Sequence, residues 1–115
     1  MIDRTKLYSI LSELGDDGFQ AVMAVFVVEM REILQALGSN PSATFTVHCH
    51  ALRGTGQALG FVELARICEW YETGSGQGPP PAPPAGPLAA GLLTDCFEAS
   101  LREMEDALTT APATL

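Results

Sequence analysis

The sequence predicts an all-α protein: an up-and-down antiparallel four-helix bundle with a short additional N-terminal helix. Three observations carry that prediction. Apolar residues recur at helical spacing in five segments. Glycine, proline and capping residues fall between those segments. Only one stretch alternates as a strand would, and it has no second strand to pair with. The 115 residues make one domain, 1–115, large enough for a real core but not for two.

The first helix runs from about Asp3 to Leu14. Asp3 caps it, Leu7, Ile10, Leu11 and Leu14 give its apolar face, and Gly15 ends it. Asp17 with Gln20 has the spacing of a capping box for the second helix. That helix turns Phe19, Val22, Met23, Phe26, Met30, Ile33, Leu34 and Leu37 inward and closes at Gly38. Asn40-Pro41 reads as the cap and first position of a third helix. Residues Thr44 to Cys49 are rich in β-branched side chains, and Phe45, Val47, Cys49 and Ala51 alternate. Helix is the better reading, because Phe45, His48, Leu52, Thr55, Gly56 and Leu59 converge on one side at helical period. Gly60 stops it. A fourth helix begins near Phe61 with Leu64, Ala65, Cys68 and Tyr71 inward. Thr73 to Pro87 holds six prolines and four glycines, which predicts a flexible or polyproline-like connection. The last helix spans about Leu88 to Leu108. Leu93, Phe97, Ser100, Leu101, Met104 and Leu108 form its inner face, and Ala111 to Thr114 read as a frayed tail.

Net charge is −8, with only six Lys and Arg. Nucleic-acid backbones and anionic membrane surfaces are held by clustered cations, so neither is an expected partner. The longest uninterrupted apolar run, Ala21 to Val28, is far too short to span a bilayer. Met1 to Lys6 lacks the apolar core of a signal peptide, which predicts a cytoplasmic protein. Cys49, Cys68 and Cys96 form neither an even disulfide set nor a Cys-x-x-Cys pair, and read as reduced, buried thiols.

His50 to Gly60 carries the chemistry. Wound at about 100° per residue, His50, Arg53, Gly54 and Gln57 share one stripe. The stripe joins a titratable nucleophile, a cation beside it, and a glycine where a side chain would obstruct an approaching molecule. Glycine costs a helix interior roughly 0.5–1 kcal/mol against alanine, so close approach of a partner is a reason for Gly54. His48 lies two residues from His50, about 200° round the helix, so the two cannot share a metal ion. His48 reads as a core histidine, and no metal site is predicted. If Phe19, Val22, Phe26, Ile33 and Leu37 point inward, then Ala21, Ala24, Val25 and Val28 point outward as an apolar strip. Either the first helix covers that strip or a partner does.

His50-Ala51-Leu52-Arg53-Gly54, then Leu59-Gly60, then Leu64-Ala65-Arg66-Ile67-Cys68 with Tyr71-Glu72 shortly after, resembles the histidine-containing phosphotransfer (HPt) domain family. The resemblance covers roughly Phe19 to Glu72. Tyr71 stands where leucine is more usual, and the stretch from Leu37 to His50 is shorter than the family commonly has.

The resemblance implies that His50 is a phosphoacceptor. The phosphoryl donor would be the phospho-aspartate of a receiver domain, in a response regulator or a hybrid histidine kinase. That domain would also supply Mg²⁺, so no cofactor of the chain's own is expected. Arg53 would offset phosphate charge and Gly54 would let the receiver's loops close. Gln57 would bond the phosphate or orient the ring, or is a plain surface glutamine. The outward strip at Ala21, Ala24, Val25 and Val28 would suit a receiver's docking helix. No glycine-rich phosphate loop with a lysine is present, so a monomeric phosphocarrier without ATP-dependent activity is expected. A non-catalytic module that binds a receiver or kinase is the alternative. The dimerisation half of a histidine kinase fits less well, because Ala51 stands where those proteins tend to have an acidic residue.

Overall fold

The computed structural model describes residues 2–39, 44–82 and 87–109. It is all-helical over those residues, with no strand among them. Four elements follow in order: α1 (Arg4–Ser39), α2 (Phe45–Leu59), α3 (Val62–Thr73) and α4 (Pro87–Thr109). α1 is broken at Gly15, whose left-handed φ of 72° with ψ 172° only glycine adopts without strain. The predicted first and second helices are therefore the short and long arms of α1. The long arm, α2, α3 and α4 form the four-helix bundle.

Each bundle helix packs on two neighbours in a ring, α1 on α2 and α4, and α3 on α2 and α4. The core in the middle is built from the predicted faces. Phe19, Met23, Met30 and Leu34 of α1 meet Cys49 and Leu52 of α2, Leu64 and Cys68 of α3, and Leu93 and Phe97 of α4. Phe61, at the entry to α3, tilts its ring against Phe97 with centroids 6.1 Å apart. Tyr71 meets Phe45 edge-on, with ring centroids 5.5 Å apart. Arg31 of α1 donates two hydrogen bonds to Glu98 of α4, at 3.0 and 3.1 Å. The guanidinium holds the Glu98 carboxyl below its usual range. The pair is exposed, so its contribution is about 0.2–1 kcal/mol at neutral pH, lost as acid protonates Glu98.

The short arm of α1 closes one end of the bundle. Asp3 caps it through Lys6 N–H, at 3.1 Å, as predicted. Ile2 and Leu7 are buried, and Tyr8 Oη donates to Ala107 O at the end of α4. The Asp3 amide donates to Gly60 O at 2.7 Å, tying the arm to the α2–α3 junction. That junction is a Schellman stop: Phe61 N–H bonds Gly56 O at 2.8 Å and Gly60 N–H bonds Gln57 O at 3.3 Å. Gly60 has φ 79°, and a Cβ there would lie 3.0 Å from Asp3 O. Gly60→Ala is expected to destabilise the fold by about 1–3 kcal/mol, read from the shift of a urea unfolding midpoint.

Three boundaries differ from the sequence reading. The capping box at Asp17 and Gln20 does not form, because Gly15 alone makes the break and Asp17 already lies inside a helical turn. There its carboxylate acts on the helix dipole instead. α2 begins at Phe45, behind Thr44, without a side-chain cap; Asn40-Pro41 lies outside the described residues. The described part of the Thr73–Pro87 connection is not free but strapped to α3. Trp70 Nε1 donates to Gln77 O at 3.0 Å, and Arg66 Nη1 donates to Gln77 O and Pro79 O at 3.0 and 2.9 Å. Arg66 is also held by Glu63. The predicted frayed tail falls on residues that are not described. No helix among the described residues is long and apolar enough to cross a membrane.

Candidate functional site

Residues 45–59 wind as one helix with Phe45, Cys49, Leu52, Gly56 and Leu59 buried, which turns His50 outward. Its side chain is 68% exposed. Across from it on α3 stands Glu72, the next-to-last residue of that helix and only 14% exposed. His50 Nδ1 and Glu72 Oε1 are 2.6 Å apart, the short range of a charge-assisted hydrogen bond. An ionised carboxylate only accepts, so the proton of this bond sits on Nδ1. In the neutral ring that leaves the lone pair on Nε2. Among the described residues Nε2 makes no hydrogen bond. The ring is thus fixed in one tautomer by a half-buried carboxylate, with its nucleophilic nitrogen facing out.

Arg53 is on the same stripe but is not a free cation. Its side chain is half-buried, and Nε lies 3.1 Å from Glu72 Oε2 as an ion pair. The N–H does not align on that oxygen, which receives no well-formed hydrogen bond. Glu72 is therefore held from two sides, by the ring it orients and by the cation that neutralises it. Gly54 is exposed, and a Cβ built on it meets nothing within 4 Å. Neither backbone strain nor internal packing requires glycine there. Gly56 differs: it is buried, and a Cβ would touch Ala65 of α3 at 3.6–3.7 Å. Gln57 is exposed one turn beyond Gly54 and lines a cavity of about 380 Å³ with Lys6, Arg66 and Gln77.

His48 sits elsewhere. It is half-buried, and its Nδ1 is enclosed with no hydrogen-bond partner among the described residues. Among those residues no group of three or more His, Cys, Asp or Glu is arranged to hold a metal ion. All three cysteines are free thiols, Cys49 and Cys68 buried and Cys96 half-buried. The Cys68 thiol is pushed up by its hydrogen bond with Cys49 and by burial, which leaves it protonated and unreactive.

The outward strip is as exposed as its spacing predicts. Ala21 and Ala24 are exposed, and Val25 and Val28 are each more than half exposed. The short arm of α1 does not cover them. Ala24 and Val28 line a groove shared with α4, while His50 and Glu72 face each other on α2 and α3.

Glu72 is the site residue that the histidine stripe alone does not name. The signal for it lies in the hairpin. Eleven residues back from Phe61 is His50 and eleven residues on from it is Glu72. No protein-family model matches the chain, and no curated protein or solved structure matches it either.

Proposed function

We propose that the chain is a histidine phosphotransfer protein: His50 accepts a phosphoryl group from the phospho-aspartate of a receiver domain, or from a kinase, and passes it to another receiver. The observation that carries this reading is the exposed His50 ring, held at Nδ1 by Glu72 with Nε2 unengaged. In the transfer, the Nε2 lone pair attacks phosphorus and an N–P bond forms. The acyl-phosphate P–O bond breaks, and its electron pair returns to the aspartate. The ring gains positive charge as it attacks. Glu72 Oε1, accepting from Nδ1–H, stabilises that charge as a triad aspartate does for its histidine.

Phosphoryl transfer depends on positioning and charge neutralisation. An uncompensated carboxylate near the incoming phosphoryl would repel it by roughly 1–4 kcal/mol at 4 Å in water-like to surface-like surroundings. Arg53, paired with Glu72, removes that repulsion. Its role in this reading is to neutralise Glu72 first and the phosphoryl group second. Mg²⁺ belongs to the receiver's acidic pocket. The HPt resemblance of His50 to Gly54 supports the assignment, and a cytoplasmic monomer suits a relay between receivers.

Gly54 gives the receiver room to close. Gly54→Ala is expected to stabilise the free protein by about 0.5–1 kcal/mol and to slow transfer from a receiver. Thermal melts and transfer rates on the same variant check both signs. Docking in this reading spreads from Gly54 over the outer face of α2 toward Ala21 and Val25, with Ala24 and Val28 at its far margin. Gln57 lies one turn beyond, as a further polar contact.

Incubation with receiver domains charged by acetyl phosphate tests the reading. The chain is expected to acquire a phosphoryl group that acid removes and alkali does not. The engagement of Arg53 by Glu72 favours one other reading, a module that binds a receiver or kinase without accepting phosphate. A stable complex in which phosphate never reaches the chain would select that module.

A further inference from the structure

We propose that the proline strap after α3 is a docking site for a partner domain with an uncharged, aromatic-lined groove, which reads it as one turn of polyproline II. Residues 74–86 separate the end of α3 from the start of α4, whereas about two to eight residues commonly join neighbouring helices. The described part of this extra length is held in place. Trp70 Nε1 and Arg66 Nη1 donate to Gln77 O, and Arg66 Nη1 donates to Pro79 O. Gly76 lies against the indole, where a Cβ would stand 3.1 Å from Trp70 Cδ1. The strap then turns at Gly78, with φ 72°, and delivers Pro79-Pro80-Pro81.

Three successive prolines offer no backbone N–H, so they add nothing to a helix or a ladder. The ring sets φ near about −65°, and a residue before proline is held to extended ψ. Pro79 and Pro80 meet both conditions. Polyproline II repeats every three residues, which puts Pro79 and Ala82 on one edge, Pro80 on the second and Pro81 on the third. The exposure follows that count: Pro79, Pro80 and Ala82 are exposed and Pro81 is half-buried. Two edges thus face outward, and a groove closing from one side takes two. Among the described residues no hydrogen bond reaches the carbonyls of Pro80 or Pro81, which leaves them for donors on the groove's aromatic rings.

Charge selects the kind of groove. Residues 74–94 carry no charged side chain. Arg66, the cation beside the strap, is engaged by Glu63 as well as by the strap's carbonyls. A groove of the SH3 kind, with an acidic pocket for Lys or Arg beside the prolines, finds no partner charge here. An uncharged aromatic groove of the WW kind needs none. The strap shares no residue with the His50–Glu72 pair, so the inference stands apart from phosphotransfer.

The probe is an isolated WW domain that binds proline triplets, titrated into the nitrogen-15-labelled full chain. Shift changes are expected at the amides of Gly76, Gln77, Gly78 and Ala82 and not at His50. Pro80→Glu is expected to weaken binding at least tenfold. Leu88→Glu adds the same charge at an exposed leucine beyond the strap, and should alter binding less than twofold. Arg66→Gln releases the strap, and is expected to lower affinity to that of a free peptide of residues 76–82. Absence of binding at millimolar probe, or equal weakening by Pro80→Glu and Leu88→Glu, would overturn the proposal. A free peptide that binds as tightly as the full chain would overturn it too, as would an SH3 domain that binds as tightly as the WW domain.

Discussion

His50→Gln is expected to abolish phosphoryl acceptance while leaving the fold intact. Glutamine has a similar reach but no nucleophilic ring nitrogen, so no N–P bond can form. The His50 side chain is 68% exposed, and surface substitutions outside special features usually fall within about 0.5 kcal/mol. Loss of labelling with an unchanged melting curve is therefore the expected pair of results. His48→Gln should behave in the opposite way. It replaces a half-buried ring and is expected to cost stability while the protein still labels. A labelled His50→Gln protein would end the assignment of the site.

Glu72→Ala carries the second large effect. Without the carboxylate the His50 ring loses its orienting partner and distributes its proton between Nδ1 and Nε2. The developing ring charge also loses its counter-ion. Loss of an orienting partner behind a functional histidine typically costs ten- to a hundredfold where metal sites have been measured, and a drop of about that size in transfer rate is expected here. Glu72→Gln keeps an acceptor oxygen for Nδ1–H and should retain more activity than alanine. A side-chain nitrogen spectrum separates this positioning role from a structural one. The wild-type ring is expected to show Nδ1 protonated, and the alanine variant a tautomer mixture. Identical spectra would remove Glu72 from the mechanism.

Much of this molecule is legible in its residues, for reasons that differ from element to element. α4 is read almost without error, because an uninterrupted period of Leu93, Phe97, Leu101 and Met104 admits one inward face. Gly60 is legible as a stop, since a left-handed residue after an amphipathic run closes a Schellman motif. The tight tie of its carbonyl to the Asp3 amide is not, because that contact joins segments far apart in sequence. Gly15 shows the limit of punctuation. It marks a change of direction, but the chain resumes helix at once, which shifts the predicted capping box out of register. The proline-rich connection misleads by composition. Its backbone carbonyls find donors in Arg66 and Trp70, which lie outside the inward set of Leu64, Ala65, Cys68 and Tyr71.

The candidate site divides in the same way. The stripe of His50, Arg53, Gly54 and Gln57 follows from helical period. What period cannot give is the partner helix, and so the pairing of Arg53 with Glu72 is invisible until α2 and α3 are laid side by side. A helical wheel has no neighbours drawn on it, so it gives the outward direction of the apolar strip but not the element that each part of it faces. In the bundle, Ala24 and Val28 open toward α4.

One measurement reaches the centre of the account. The chain, labelled with nitrogen-15 in its histidines, is charged by a phosphorylated receiver and its ring nitrogens are observed by correlation spectroscopy. A single phosphohistidine is predicted, at His50, with phosphorus on Nε2 and a proton retained on Nδ1. Phosphorus on Nδ1, phosphorus on His48, or no phosphohistidine from any receiver of the same cell would contradict it.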